Sequence, residues 1–186
     1  MRKNLGAKAI LYPMPVLIIG TYDEKGTPNA MNAAWGGISE ETEISICVDD
    51  SHKTAENVVK SGAFTVSIAD KNNALAADYV GIVSGNKQED KITKCGWTAI
   101  KSDAVNAPLF QQLPLTLECK LKSYDKETCR LVGEIINISA DDTILDEKGK
   151  ISLDKFFPIT YDPVGHTYRT IGEVVGRAFS DGKNIK

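Results

Sequence analysis

The chain has 186 residues, enough for one well-filled core, so a single domain over 1–186 is the expectation. Twenty-two basic against 25 acidic side chains give a net charge of -3, which argues against nucleic acid or an anionic membrane as the main partner. The basic start, Met1-Arg2-Lys3-Asn4, leads into an apolar stretch broken by Pro13 and Pro15, so neither a signal peptide nor a membrane span is expected.

Val16 to Tyr22 reads as a strand, with Asp23-Glu24-Lys25-Gly26 as its turn and Pro28 to Trp35 as the returning hairpin partner. Gly36-Gly37 predicts a sharp bend or bulge, and Glu43 to Val48 a third strand. From Lys53 to Lys60 the apolar residues fall at helical spacing until Gly62 stops them, and Ala63 to Ile68 is again a strand. Asn72 or Asn73 is placed to cap a second helix in which Leu75, Tyr79 and Ile82 share a face. Glu89 to Lys94 predicts one more helical turn, and Trp97 to Lys101 an extended segment.

The cleanest alternation lies at 115–122, where Leu115, Leu117, Cys119 and Leu121 oppose Thr116, Glu118, Lys120 and Lys122. That pattern predicts a half-buried antiparallel strand. A long strand, Thr128 to Ser139, follows with apolar residues on both faces, so both are expected to be covered, by helices or a second subunit. Ile171 to Phe179 is weakly helical. Strands outnumber helices and lie close together, which predicts a mainly β protein: an antiparallel barrel or sandwich with helices at its rim.

Four cysteines without C-x-x-C spacing, and only two histidines, make a metal site a poor expectation. Cys119 and Cys129 leave a hairpin disulfide open, but scattered thiols without a leader favour the reducing cytoplasm.

Chemistry concentrates between residues 28 and 54. The small residues Asn32, Ala33 and Ala34 let a planar ring lie close to a strand, and Trp35 is placed either to line that pocket or to serve as core. Just beyond, Ser51-His52-Lys53-Thr54 offers hydroxyls, a cation and the free amides of a helix start, the elements of an anion site. The plainer reading is a helix cap by Ser51 or Thr54, and the two are compatible. Asp49 and Asp50 oppose an anion unless they point outward. Lys87 and Lys91, after Ser84-Gly85, are either a second cationic contact or simply solvated. His52 has no nucleophile pattern beside it, so no catalytic residue is assigned. Together these features point to flavin mononucleotide (FMN).

The order of segments then resembles the flavin reductase-like, FMN-binding split-barrel family, and within it the flavoredoxin type. The resemblance covers roughly residues 8–180 and rests on Gly26-Thr27-Pro28-Asn29-Ala30-Met31-Asn32-Ala33-Ala34-Trp35, Ser51 to Asn57, Ser61 to Ser67 and Tyr168 to Gly176. It implies a six-stranded Greek-key barrel that pairs as a homodimer, with FMN near the subunit boundary. Asn32 to Trp35 would lie along the ring. Ser51, Lys53 and Thr54 would hold the phosphate, with His52 close by and Lys91 a second cation. Where relatives often carry an arginine-proline pair, Asp49-Asp50 stands instead. The implied activity is NAD(P)H-linked flavin reduction or electron transfer to a redox partner protein. The alternative is a non-catalytic flavin-binding sensor.

Overall fold

The computed structural model describes residues 1–185. In chain order it contains β1 (Met14–Pro15), β2 (Leu17–Tyr22), β3 (Pro28–Ala33), β4 (Gly36–Glu40), β5 (Glu43–Cys47), α1 (Lys53–Ser61), β6 (Ala63–Ile68), α2 (Ala74–Ile82) and α3 (Lys91–Lys94). There follow β7 (Ala99–Lys101), β8 (Pro108–Phe110), β9 (Leu115–Asp125), β10 (Arg130–Ala140), β11 (Ile159–Asp162) and β12 (Thr167–Thr170).

Seven strands form one antiparallel sheet in the order β3-β2-β6-β9-β10-β5-β4. Its two outer strands, β3 and β4, are consecutive in the chain, with only Ala34 and Trp35 between them. The sheet therefore curls until its ends meet. The bend is pinned where the Cys47 amide donates to the Trp35 carbonyl at 2.7 Å. Counted as one bent strand, β3–β4 makes this the expected six-stranded split barrel. Small sheets β1-β11-β12 and β7-β8 flank it.

The period-two alternation of strands explains the uninterrupted apolar run at the start of β2. Leu17 and Ile19 point into the barrel with Ile44, Ile46, Phe64, Val66 and Leu131. Val16 and Ile18 face outward into a second core, with Ala77 and Val80 of α2 and with Trp97 and Phe110. Helix α1 lays Ala55 and Val58 on the barrel core and ends at Gly62, whose φ of 68° is the left-handed C-cap that glycine adopts freely.

Five expectations need correction. Gly36-Gly37 is no bend: it opens strand β4, and the bend sits at Ala34-Trp35. Asn73 stands at the N-cap position of α2 but makes no side-chain capping bond, and it is Asp70 that caps the short 3₁₀ turn, Lys71–Asn73, ahead of the helix. Helix α2 buries Ala77 and Val80, while Leu75 and Ile82 are exposed, because the narrow space over β3 admits small side chains. Strand β9 is covered on both faces at its middle: Ser102 donates to Glu118, Asn137 donates to it at 2.7 Å, and Ser67 bonds Thr116 at 2.8 Å.

Residues 171–177 form no helix. Gly172 and Gly176 weaken it, and among the described residues Val174 and Val175 stay 90% and 95% exposed. All four cysteines are free, and Cys119 faces Ile135 rather than Cys129. No helix among the described residues is long and apolar enough to cross a membrane.

Candidate functional site

Helix α1 starts at a bare end. Its N-cap, His52, makes no side-chain capping bond, and the Lys53 and Thr54 amides have no partner among the described residues. Neither Ser51 nor Thr54 caps, so the plainer reading gives way. Two inward N–H groups and the positive end of the helix dipole face a cavity of about 190 Å³. Asn29, Asn32, His52, Lys53, Thr54, Gly85 and Lys91 are among the residues that line it.

Asn29 matters most here. It is 7% exposed, its amide nitrogen donates to Thr54 Oγ1 at 3.0 Å, and its Oδ1 has no partner. The Thr54 hydroxyl, buried beneath it, keeps its own proton free to donate. An uncompensated buried amide edge is costly, so such an edge facing a cavity is the mark of a ligand site. Gly85 closes the opposite wall so tightly that a Cβ there would lie 2.3 Å from Asn29 Oδ1.

The cations divide. Lys53 reaches the cavity, and its ammonium rests 3.4 Å from Glu56 on the surface, an exposed pair that a stronger anion can displace. Lys91 is buried, and its ammonium donates to the Val83 and Val80 carbonyls at 2.9 and 3.3 Å. Burial lowers its pKa to about 8. Lys87 is exposed and lines neither this cavity nor its neighbours. Ser51 is exposed as well, and both its amide and its hydroxyl donate to Asp49 Oδ1, at 3.0 and 2.6 Å. Those bonds hold the Asp49 carboxyl below its usual range and occupy it within its own loop.

The cavity continues past Asn32, Gly81 and Ile82 into a second compartment of about 360 Å³, lined also by Ala34, Asp78, Tyr161, His166 and Tyr168. Asn32 donates to the Ala77 carbonyl at 3.0 Å, which ties β3 to α2. Gly81 lets the two approach closely, since a Cβ there would meet Asn32 Cβ at 3.0 Å. Tyr168 donates to Asp78 at 2.9 Å; burial first, and then that carboxylate, push its pKa up to about 12. Tyr161 and His166 bond each other at 3.0 Å. Ala33 points into the barrel core, and Trp35, 59% exposed, lines a separate depression with Cys47 and Arg130.

The structure thus brings together Asn32, Ala34, His52, Lys53, Thr54 and Lys91, and leaves Ala33, Trp35, Ser51 and Lys87 apart from them. Sequence reasoning missed Asn29, Gly81, Gly85, Asp78, Tyr161, His166 and Tyr168 as site residues. Gly81 and Gly85 carried a usable signal, as glycines flanking a helix end where a ligand or backbone must come close.

Residues 9–171 match the family model described as the flavin reductase like domain. The flavoredoxin of Desulfovibrio vulgaris (Miyazaki F) superposes with a TM-score of 0.93 at 35% identity, covering 98% of this chain and 100% of that one. A flavoredoxin from Methanosarcina acetivorans gives a TM-score of 0.86 at 26% identity, covering 100% and 98%. The FMN-binding domain of a flavin reductases-like enzyme from Shewanella baltica OS155 shares the fold, with a TM-score of 0.79 at 21% identity over 88% of each chain. A match over most of the sequence, joined to the closed barrel and the bare helix end, makes this chain a member of the flavin reductase-like family, on its flavoredoxin branch.

Proposed function

We propose that this chain binds FMN and serves as a flavoredoxin-type electron carrier. The observation that carries the reading is the uncapped start of α1, set beside Lys53 and the unpartnered Asn29 amide at one end of a cavity that runs on along Asn32 and Ala34. The residues fit the cofactor. Amide donors and a lysine suit its phosphate, the free Oδ1 of Asn29 suits a donating ribityl hydroxyl, and small residues leave room for a flat ring. When bound, the flavin supplies reversible uptake of electrons.

The Lys53 and Thr54 amides, the Thr54 hydroxyl and Lys53 Nζ hold the phosphate, with His52 at its side. Lys91, buried in the cavity wall, adds positive field. Asn32 fixes the ring edge, and the Tyr168–Asp78 pair with His166 borders the open end. In this chain Ser51 and Lys87 contribute no free group to the cavity. The likeness to flavoredoxins supports a carrier, and the bare apolar surface of the single chain supports a second copy of the chain as partner.

Lys53→Ala should weaken FMN about tenfold or more and riboflavin much less, because a charge-assisted bond to phosphate contributes about 1.5–3 kcal/mol. Equal losses for both ligands would remove Lys53 from the phosphate. Tightly held FMN with little NAD(P)H oxidation fits the carrier, whereas turnover of NAD(P)H with added free FMN would make the chain a reductase. A protein that stays colourless after incubation with FMN would end both readings.

A further inference from the structure

Two thiols meet where β5 ends and β10 begins. Cys47 is the last residue of β5, and its cross-strand partner is Arg130, the first of β10. Cys129 directly precedes Arg130, and its carbonyl accepts the Val48 amide at 2.7 Å. One step along an antiparallel ladder sets the Cys47 and Cys129 Cα atoms about 6 Å apart, within the span of a disulfide. Cys129 has a φ of 55°, which releases its side chain from the strict alternation of the strand. The Tyr124 hydroxyl, donating to the Val48 carbonyl at 2.8 Å, lies near both thiols: burial first, then Cys129, Asp50, Asp49 and Cys47 push its pKa up to about 12.

The four cysteines are not alike. Cys119 is buried in the barrel core, where burial pushes its thiol up to about 12. Cys95 is half-buried and donates to the Ile92 carbonyl at 3.1 Å. Cys47 is exposed and Cys129 half-buried. Desolvation first, then Asp49 and Cys47, raises the Cys129 thiol, opposed by the Asp50 amide that faces it. Cys47 also lines the depression that holds Trp35 and Arg130. Cross-strand partners share a face, so the exposed Arg130 guanidinium stands beside the Cys47 thiol, open to an anionic group.

We infer that Cys47 and Cys129 form a redox-active dithiol, in which Cys47 attacks a small carboxylate-bearing disulfide seated between Trp35 and Arg130, and Cys129 resolves the adduct. The Cys47 thiolate displaces one thiol from the small disulfide and forms a mixed disulfide. Cys129 then loses its proton and attacks the Cys47 sulfur, the mixed bond breaks, and a second small thiol leaves. Two protein thiols are thereby oxidised to one disulfide, and the small disulfide is reduced to two thiols. The link ties β5 to β10 at the loop that leads to His52 and α1. No flavin enters these steps, so the inference stands apart from the reading above.

Oxidised glutathione is the probe. After incubation with it, free thiols are capped with N-ethylmaleimide in denaturant, and the chain is weighed intact and mapped by its peptides. Wild type should lose two cappable thiols and give one peptide pair joined through Cys47 and Cys129, with no glutathione retained. Cys129→Ser should stop with one glutathionyl group on Cys47. Cys129→Gly should do the same, and it keeps the left-handed backbone free of strain. Cys47→Ser should leave Cys129 unmodified, and Arg130→Gln should slow the first step several-fold. Glutathione retained on Cys47 of wild type would overturn the pairing, as would a bond between Cys47 residues of two chains. Cys129 variants that take up no glutathione would overturn Cys47 as the attacking thiol.

Discussion

Lys91 holds a cation against the closing turn of α2, where carbonyls without helical partners collect negative potential. Burial nevertheless favours its neutral form and brings its pKa from 10.5 to about 8. Between those two values the unfolded chain binds more protons at Lys91 than the folded one, so the contribution to stability rises with pH across that window. Urea midpoints from pH 7.5 to 10.5 should therefore climb more steeply in wild type than in Lys91→Met, and parallel curves would remove Lys91 from the balance. Bound FMN should flatten the wild-type climb, because an anion nearby stabilises the ammonium. At this scale the sequence showed where cations and small residues cluster. It did not show that Lys91 turns inward or that Ser51 spends its hydroxyl on Asp49, because side-chain direction is settled by tertiary neighbours. Asn29 lay within a recognised segment, yet its idle amide edge exists only once Gly85 is folded against it.

Among the elements, the barrel strands were the most legible, since alternating or continuous apolar runs follow directly from which faces are covered. Helix α2 was misjudged in part: of the large residues on the expected face Tyr79 packs half-buried on the outer core, but Leu75 and Ile82 stay exposed and Ala77 and Val80 are the buried ones. β10 contains a further constraint hidden from a linear pattern. Gly133 follows a register shift opposite β9, and the fully buried Phe64 ring lies over it. A Cβ at 133 would meet Phe64 Cζ at 2.3 Å and Cε1 at 2.7 Å. Gly133→Ala should cost about 1–3 kcal/mol through overpacking, read from chemical denaturation. Adding Phe64→Leu should return part of that loss, since the two sites share one volume. Independent, additive losses would show that the ring is not what the new methyl meets.

The whole chain leaves large apolar side chains in water: Trp35 at 59% exposure, Ile38 at 65% and Ile138 at 54%, and on the tail Val174, Val175 and Phe179 at 90% or more. Ile136 and Ile138 belong to the face of β10 that was expected to be covered, and among the described residues they stay 40% and 54% exposed. Under the proposed pairing of two copies, light scattering should return twice the chain mass, and Val175→Asp with Phe179→Asp should shift the population toward single chains. A wild type that runs as a monomer at micromolar concentration would end that proposal. The pattern of β10 raised a second subunit as one of two covers but did not choose it, because apolar residues at strand spacing read the same whether a core or a neighbour receives them.

The bend at Ala34-Trp35 has an effect on how the molecule comes apart. A sheet with two loose margins can unzip from either one. Here both margins are tethered by two residues, so peeling β3 from β2 drags on β4, and the reverse. Ala34 also borders the proposed ring compartment, which places the ligand pocket at the seam of the hoop. Anything that steadies the pocket thereby tightens the closure of the whole ring of strands.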